Sequence, residues 1–210
     1  MKRQIIKFAF FLGRLTNYVM PNSICVKVLN FFHFIHSGRF YGKFASCGYP
    51  VDLKFPTYLL GGKYIEIGTK FHASYRLRIE AWDRYKNISF NPSIKIGDNV
   101  SFSDNCHIGA INLVKIGNNV LIGSNVYITD HFHGTSELLD LKISPIERNL
   151  YSKGPVIIKD DVWIGDGVCI MPNVTIGRSC IIGANSVVTK SFPEGCIIAG
   201  SPAKVIKKIY

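Results

Sequence analysis

Acidic residues are scarce in this 210-residue chain: 14 Asp and Glu stand against 25 Lys and Arg, a formal charge of +11. Such a balance disfavours cationic partners and suits anionic ones: nucleic acid, phospholipid headgroups, nucleotides or phosphorylated cofactors. No recognised nucleic-acid-binding motif is present, so nucleic acid is not expected. The six cysteines (Cys25, Cys47, Cys106, Cys169, Cys180, Cys196) form no CxxC pair, which argues against a zinc knuckle or a disulfide framework. They read as free thiols packed as small hydrophobes in a reducing, cytoplasmic setting. No apolar run approaches the ~20 residues of a membrane span. The G-x-S-x-G elbow of a serine nucleophile is missing too. Charged residues make up only 19%, while hydrophobic ones reach 47%, which is enough for a core and too much for disorder.

The N-terminal stretch MKRQIIKFAFFLGRL is not a secretion signal by pattern: Lys7 breaks the apolar run and no A-x-A-like site follows. As a helix it would place Arg3, Lys7 and Arg14 on one face. The expectation is that its apolar residues dock on the protein itself; peripheral contact with the inner face of a membrane is the alternative.

What the sequence does hold is a repeat. Ile158, Ile164, Ile170, Ile176, Ile182 and Val188 fall six apart, and a second register two residues earlier holds Val162, Val168, Val174, Cys180 and Ser186. An earlier block repeats the pattern with Ile96, Phe102 and Ile108, then, after a step of eight, Ile116, Ile122 and Ile128. Gly97, Gly109, Gly117, Gly123, Gly165, Gly177 and Gly183 follow first-register residues, and a weaker match starts at Ile67. Period six fits neither a 3.6-residue helix nor a plain alternating strand. Residues two apart share a strand face, and Gly is read as the turn residue. The chain therefore coils as a parallel β-helix around a stack of aliphatic side chains, each coil burying itself against its neighbours. The expected organisation is an all-β domain over 61–208, preceded by an extension over 1–60 that is a candidate for helix.

The repeat breaks after Ile128, giving a protruding loop over 129–155 that opens with Asp130, His131 and His133. A long insertion in a solenoid is a natural functional loop. A neutral imidazole there can take a proton from a hydroxyl, and Asp130 can orient an imidazole or merely cap a turn. His72 and His107, beside repeat positions, read as structural or exposed, and His33 and His36 as packing or surface.

The segments IGDNVSFSDN, IGNNVLIGSNVYI and VWIGDGVCIMPNVTIGRSCIIGANSVVTK resemble the hexapeptide-repeat acyltransferases, over about residues 62–208. The likeness is greatest to bacterial sugar O-acetyltransferases acting on galactosides, O-antigen or capsule. It implies a left-handed β-helix of triangular section, a homotrimer, acetyl-coenzyme A as donor and a sugar or lipid-linked glycan as acceptor. No metal is implied. Laying NVYITDHFH on the family's NVxIxxxxH segment without gaps puts His133 at the catalytic position; DHFHG also matches a D-H-x-H-G signature, which keeps His131 as the second candidate. The resemblance further implies that Trp163 lies near the active site and the cofactor groove. Ala184, Thr189 and Lys190 of GANSVVTK match positions contacting the cofactor, and Lys204 and Lys207 of AGSPAKVIKK match positions meeting its phosphates. Asp104 and Asn105 are weaker candidates for acceptor binding. The loop is longer than in galactoside-type enzymes, which leaves the acceptor open. The alternatives are N-acetylation of an amino sugar or other small acceptor, a zinc carbonic anhydrase using His107, His131 and His133, and a non-catalytic scaffold at a membrane surface.

Overall fold

The computed structural model describes residues 2–19, 22–135 and 137–209. Three parallel sheets form the walls of a prism, and the chain visits them in turn. One coil runs through Ser93–Ile96 on the first face, Ser101–Phe102 on the second and His107–Ala110 on the third. The next stacks on it 20 residues later, Ile96 beside Ile116, Phe102 beside Ile122 and Ile108 beside Ile128. After the loop the offset is 18, with Ile158 beside Ile176 and Ile164 beside Ile182. Eighteen is three sides of six; the two extra residues of the earlier coil sit between Ile108 and Ile116, where the sequence steps by eight.

Both registers point inward. Val100, Ile108, Val114, Ile122, Val168, Ile170 and Val174 are all buried in one continuous core. Each coil offers its neighbour a flat aliphatic layer, and burial of such side chains is worth about 1.5–3 kcal/mol apiece.

The repeat glycines act differently from the sequence expectation. At Gly165 the φ is not positive; a Cβ there would lie 2.7 Å from the Ala184 nitrogen of the next coil. Gly is needed because two backbones approach closely, while the left-handed corner two residues on falls to Asn99, Asn119 and Asn125 in the earlier coils and to Gly167 after Gly165. Asn tolerates that conformation and its amide stacks: Asn99 Nδ2 donates to Asn119 Oδ1, and Asn119 Nδ2 to Asp161 Oδ1, both at 3.0 Å.

The β-helix begins earlier than residue 61. Ser46–Cys47, Val51–Leu53 and Tyr58–Leu60 already form a coil, which escaped notice because its one repeat glycine, Gly48, follows Cys47 rather than an aliphatic residue. Ahead of it lie two helices, α1 (Lys2–Val19) and α2 (Asn22–Tyr41). α2 is tied to the first coil: Ser37 Oγ accepts the Leu53 N–H at 2.8 Å, and His33 Nδ1 accepts the Phe55 N–H at 3.3 Å. At the other end Ala203–Lys208 folds back antiparallel on Cys196–Gly200.

The docking expected for the N-terminal stretch is not found. Every described side chain of α1 from Lys2 to Thr16 is exposed, Ile6 at 66% and Phe10 at 73%. An amphipathic pattern specifies an apolar face but not what covers it, so the sequence could not separate these cases.

Two insertions leave the third face at the same corner. One holds a hairpin, Arg84–Tyr85 with Ile88–Ser89. The other is the 130–155 loop, with a hairpin of Phe132–His133 and Leu150–Tyr151 and a short helix, Leu138–Leu141. They touch where Lys86 Nζ meets Glu147 Oε2 at 2.8 Å and the Tyr85 hydroxyl donates to the Ile146 carbonyl at 3.4 Å.

Candidate active site

The two insertions and the third face enclose a cleft of about 280 Å³. Its floor is strand residues Arg78, Glu80, His107, Gly109 and Tyr127; its walls are Trp82 and Tyr85 from the first insertion, with His131, His133 and Leu150 from the second.

Asp130 anchors the site. It is fully buried, and its Oδ1 and Oδ2 accept the Ile111 and Asn112 N–H groups at 2.9 and 2.8 Å. Those donors lie where the coil carries its two extra residues. The same Oδ1 stands 3.0 Å from His131 Nδ1. A carboxylate held by backbone donors can only accept, so the imidazole carries its proton on Nδ1 and keeps the Nε2 lone pair. Asp130 therefore supports the turn and orients a ring at once.

Gly109 makes room for that ring. A Cβ here would lie 3.2 Å from His131 Cε1 and 3.8 Å from His107 Nε2, so two imidazoles converge above one bare backbone position. The second imidazole has its own carboxylate. Glu80, 2% exposed, lies 2.9 Å from both His107 Nε2 and Arg78 Nε. Burial pushes the Glu80 carboxyl up, but hydrogen bonds and charge from His107 and Arg78 outweigh it and hold the group below its ordinary value.

The structure sets the two sequence candidates in different surroundings. His131 has a side chain 12% exposed with its Nδ1 tied. His133 is exposed, packs edge-on against Tyr85 at 5.6 Å between centroids, and its imidazole makes no hydrogen bond among the described residues. Backbone pairing explains this: His133 sits in the hairpin opposite Leu150, beyond the coil, whereas His131 is the second residue after the third-face strand Tyr127–Thr129.

The other candidates fall elsewhere. Asp104 and Asn105 are not brought to the cleft. They build the corner between the second and third faces, Asp104 accepting from Ser74 Oγ at 2.5 Å and Asn105 donating to Asn125 at 3.1 Å. Asn105 also accepts from Arg76 Nε and has a positive φ of 59°. Trp163, 53% exposed, stands on the second face between Leu121 and Ile181. It shares a groove of about 350 Å³ with Gly165, Asp166, Ile181, Gly183 and Ala184. Thr189 and Lys190 are exposed just after the last third-face strand, and Lys204 and Lys207 are exposed on the fold-back strand of the second face. In one copy the histidine cleft and this groove thus occupy different walls of the prism. His72 pairs with Asp52 at 2.9 Å on the second face, away from the cleft. Among the described residues no group of three or more His, Cys, Asp or Glu is arranged to hold a metal ion.

Sequence reasoning missed Arg78, Glu80, Trp82 and Tyr85, and read His107 as structural or exposed. A signal existed: Ile67, Ala73 and Ile79 fall six apart with Ile65, Phe71 and Leu77 two earlier, and all six are buried. That register places Glu80 one coil below Gly109, as the pairing shows.

Comparison with known proteins agrees with this architecture. Residues 155–190 match the family model "Bacterial transferase hexapeptide (six repeats)" and residues 113–136 match "Hexapeptide repeat of succinyl-transferase". A putative lipopolysaccharide biosynthesis O-acetyl transferase of Escherichia coli K12 is 40% identical over 160 residues, covering 74% of this chain and 78% of that one. The galactoside O-acetyltransferase of the same organism is 37% identical over 126 residues, 58% of this chain and 57% of its own. A maltose O-acetyltransferase structure from Clostridium difficile 630 superposes with a TM-score of 0.57 at 31% identity, covering 70% of this chain and 72% of that one. The chain belongs to the hexapeptide-repeat family of acetyltransferases, folded as a left-handed parallel β-helix.

Proposed function

We propose that this protein moves an acetyl group from acetyl-coenzyme A to a sugar hydroxyl of a surface polysaccharide, O-antigen or capsule, or of its lipid-linked precursor, with His131 as general base. The observation that carries this reading is the chain of contacts from the Ile111 and Asn112 backbone through Asp130 to His131, which leaves one basic nitrogen free at the cleft.

His131 Nε2 takes the hydroxyl proton as the oxygen attacks the thioester carbonyl. The acetyl–oxygen bond forms, the acetyl–sulfur bond breaks, and the thiolate leaves with the proton returned by the imidazolium. Asp130 stabilises that imidazolium without taking its proton. Arg78, Glu80 and His107 offer a polar floor to the acceptor's other hydroxyls, and Trp82 and Tyr85 offer apolar faces to its ring carbons. On the donor side the Trp163–Ala184 groove suits the pantetheine arm. Lys190, Lys204 and Lys207 suit the phosphates, since exposed ammonium groups are effective point-charge partners for them.

Cleft and groove lie on different walls of one copy, so a complete site needs the cleft of one chain against the groove of another. A homotrimer supplies three such pairings. Light scattering is expected to give a trimer, and a fully active monomer would refute the shared site.

The test of the reaction is thiol release from acetyl-coenzyme A with a panel of sugars, amino sugars and lipid-linked oligosaccharides. We expect release to depend on a hydroxyl acceptor, to fall about a thousandfold or more in His131→Ala, and to change less than about fivefold in His133→Ala. The opposite ranking would restore His133 as the base. Acetyl-coenzyme A binding without turnover on any acceptor would overturn the acceptor class.

A further inference from the structure

We propose that the N-terminal helices form a docking surface for an anionic lipid bilayer, with α1 lying in the plane of the headgroups rather than crossing them. This goes beyond acetyl transfer and does not depend on it.

Three observations meet here. The first is exposure. α1 presents Ile5, Phe8, Phe11, Leu12 and Leu15 to the outside, and α2 adds exposed Phe31, Phe32 and Phe34 beside its tied face. Adjacent exposed apolar side chains on this scale mark an interaction surface. The second is charge. Residues 1–51 contain seven Lys and Arg and no Asp or Glu, the first acid being Asp52. The third is arrangement. At 100° per residue Phe8, Leu12 and Leu15 lie together on one side of α1, with Arg3, Lys7 and Arg14 together on another, flanked by the exposed rings of Phe10 and Phe11. No helix is long and apolar enough, among the described residues, to cross a membrane. A helix with one aromatic–aliphatic face and one basic face lies in the interface, its apolar side reaching the acyl boundary.

Charge decides between lipid and a second copy of the chain. Copies packed through these helices would gather positive charge with no acid from either side to offset it. An anionic bilayer supplies apolar depth and negative headgroups together. Near such a surface each Lys or Arg contributes roughly a fivefold gain in partitioning, screened by salt.

The experiment is flotation of the full-length protein with vesicles of phosphatidylcholine alone, or with about one-third phosphatidylglycerol, at about 0.05 and 0.5 M salt. We expect binding to the anionic vesicles at low salt, and at least ~10-fold less binding for Lys7→Glu with Arg14→Glu. Phe8→Asp with Leu12→Asp should abolish binding at either salt. These side chains are exposed, so each variant should keep the native melting temperature, which serves as the folding control. Equal binding to both vesicle types would overturn the charge argument. No binding, together with a loss of self-association in the Phe8/Leu12 variant by sedimentation, would assign the surface to a second copy instead. No binding with unchanged sedimentation would also overturn the proposal.

Discussion

Replacing Asp130 with Asn separates the two things this residue does. Its carboxylate takes three hydrogen bonds, two from backbone N–H groups and one from His131. An amide has one oxygen and one NH2. With the amide oxygen in the Oδ1 position, the bonds from Ile111 and His131 survive, but the NH2 confronts the Asn112 N–H. With the amide turned over, the Asn112 bond survives and the NH2 faces both Ile111 and His131. The imidazole must then protonate Nε2 and cannot act as a base. Either way one backbone donor is stranded, the buried Ile111 N–H or the partly buried Asn112 N–H, at about 1–3 kcal/mol. For a chain of this length that lowers the melting temperature by about 2–4 °C per kcal/mol. The imidazolium also loses its counter-charge in both orientations. We expect kcat to fall about 10²- to 10⁴-fold, or about 3–5 kcal/mol of barrier, with the KM for acetyl-coenzyme A unchanged. The assay is thiol release at saturating acetyl-coenzyme A beside a thermal melt. A melting point lowered as expected with kcat within about threefold of native would refute the reasoning: Asp130 would then be turn support alone.

Other expectations follow from the same geometry. Trp82→Ala should raise the acceptor KM about tenfold, some 1.4 kcal/mol, and leave the acetyl-coenzyme A KM alone; initial-rate kinetics in each substrate checks this. Glu80 has a carboxyl held below its ordinary 4.5, so its contribution to stability is present above that value and lost as pH falls through the folded one. Glu80→Gln should therefore flatten the loss of melting temperature as pH falls from about 5 toward about 3, and an equally steep acid limb in the variant would contradict it. Burial pushes the Cys106 thiol up to about 11, and Cys180 and Cys196 are buried as well. Alkylation at about pH 8 should spare all three until the protein is denatured, as read by mass spectrometry. Gly165→Ala should destabilise the fold by about 1–3 kcal/mol in chemical denaturation, because the added carbon meets backbone rather than a movable side chain.

The solenoid was legible because a six-residue repeat has few other physical readings. Ile158, Ile164, Ile170 and their kin mark inward positions directly, and the structure buries them. The role of the repeat glycines was not legible. A Gly beside a turn looks the same whether it supplies a left-handed φ or a close approach, and only the stacking of coils decides. In the cleft, the long insertion announced His131 and His133, but their different surroundings depend on the register of the hairpin and the carboxylate behind the ring. Glu80, Arg78, Trp82 and Tyr85 stayed hidden because their coil carries the aliphatic registers with a single repeat glycine, Gly68. They reach His131 only across stacked coils, a separation in sequence of about fifty residues that no local pattern encodes. Of the N-terminal extension, the first stretch was legible as amphipathic and illegible as to what it touches, while the segment of α2 was legible only as a candidate helix.

The fold-back strand Ala203–Lys208 has a consequence for the length of the molecule. A stack of parallel coils has no intrinsic reason to stop, because its last coil offers the same unpaired N–H and C=O groups that its predecessor offered to it. Here the chain reverses at Ser201–Pro202 and lays an antiparallel strand along Cys196–Gly200. A parallel newcomer cannot add where an antiparallel strand already sits. The other two walls end in the lone bridge at Phe192 and the two residues Val187–Val188. At the opposite end α2 lies over the first coil. The segment whose lysines suit phosphates is thus also the terminator of a polymer-like backbone. Cutting it away would be expected to yield fibres or aggregates before it yielded a merely weaker enzyme.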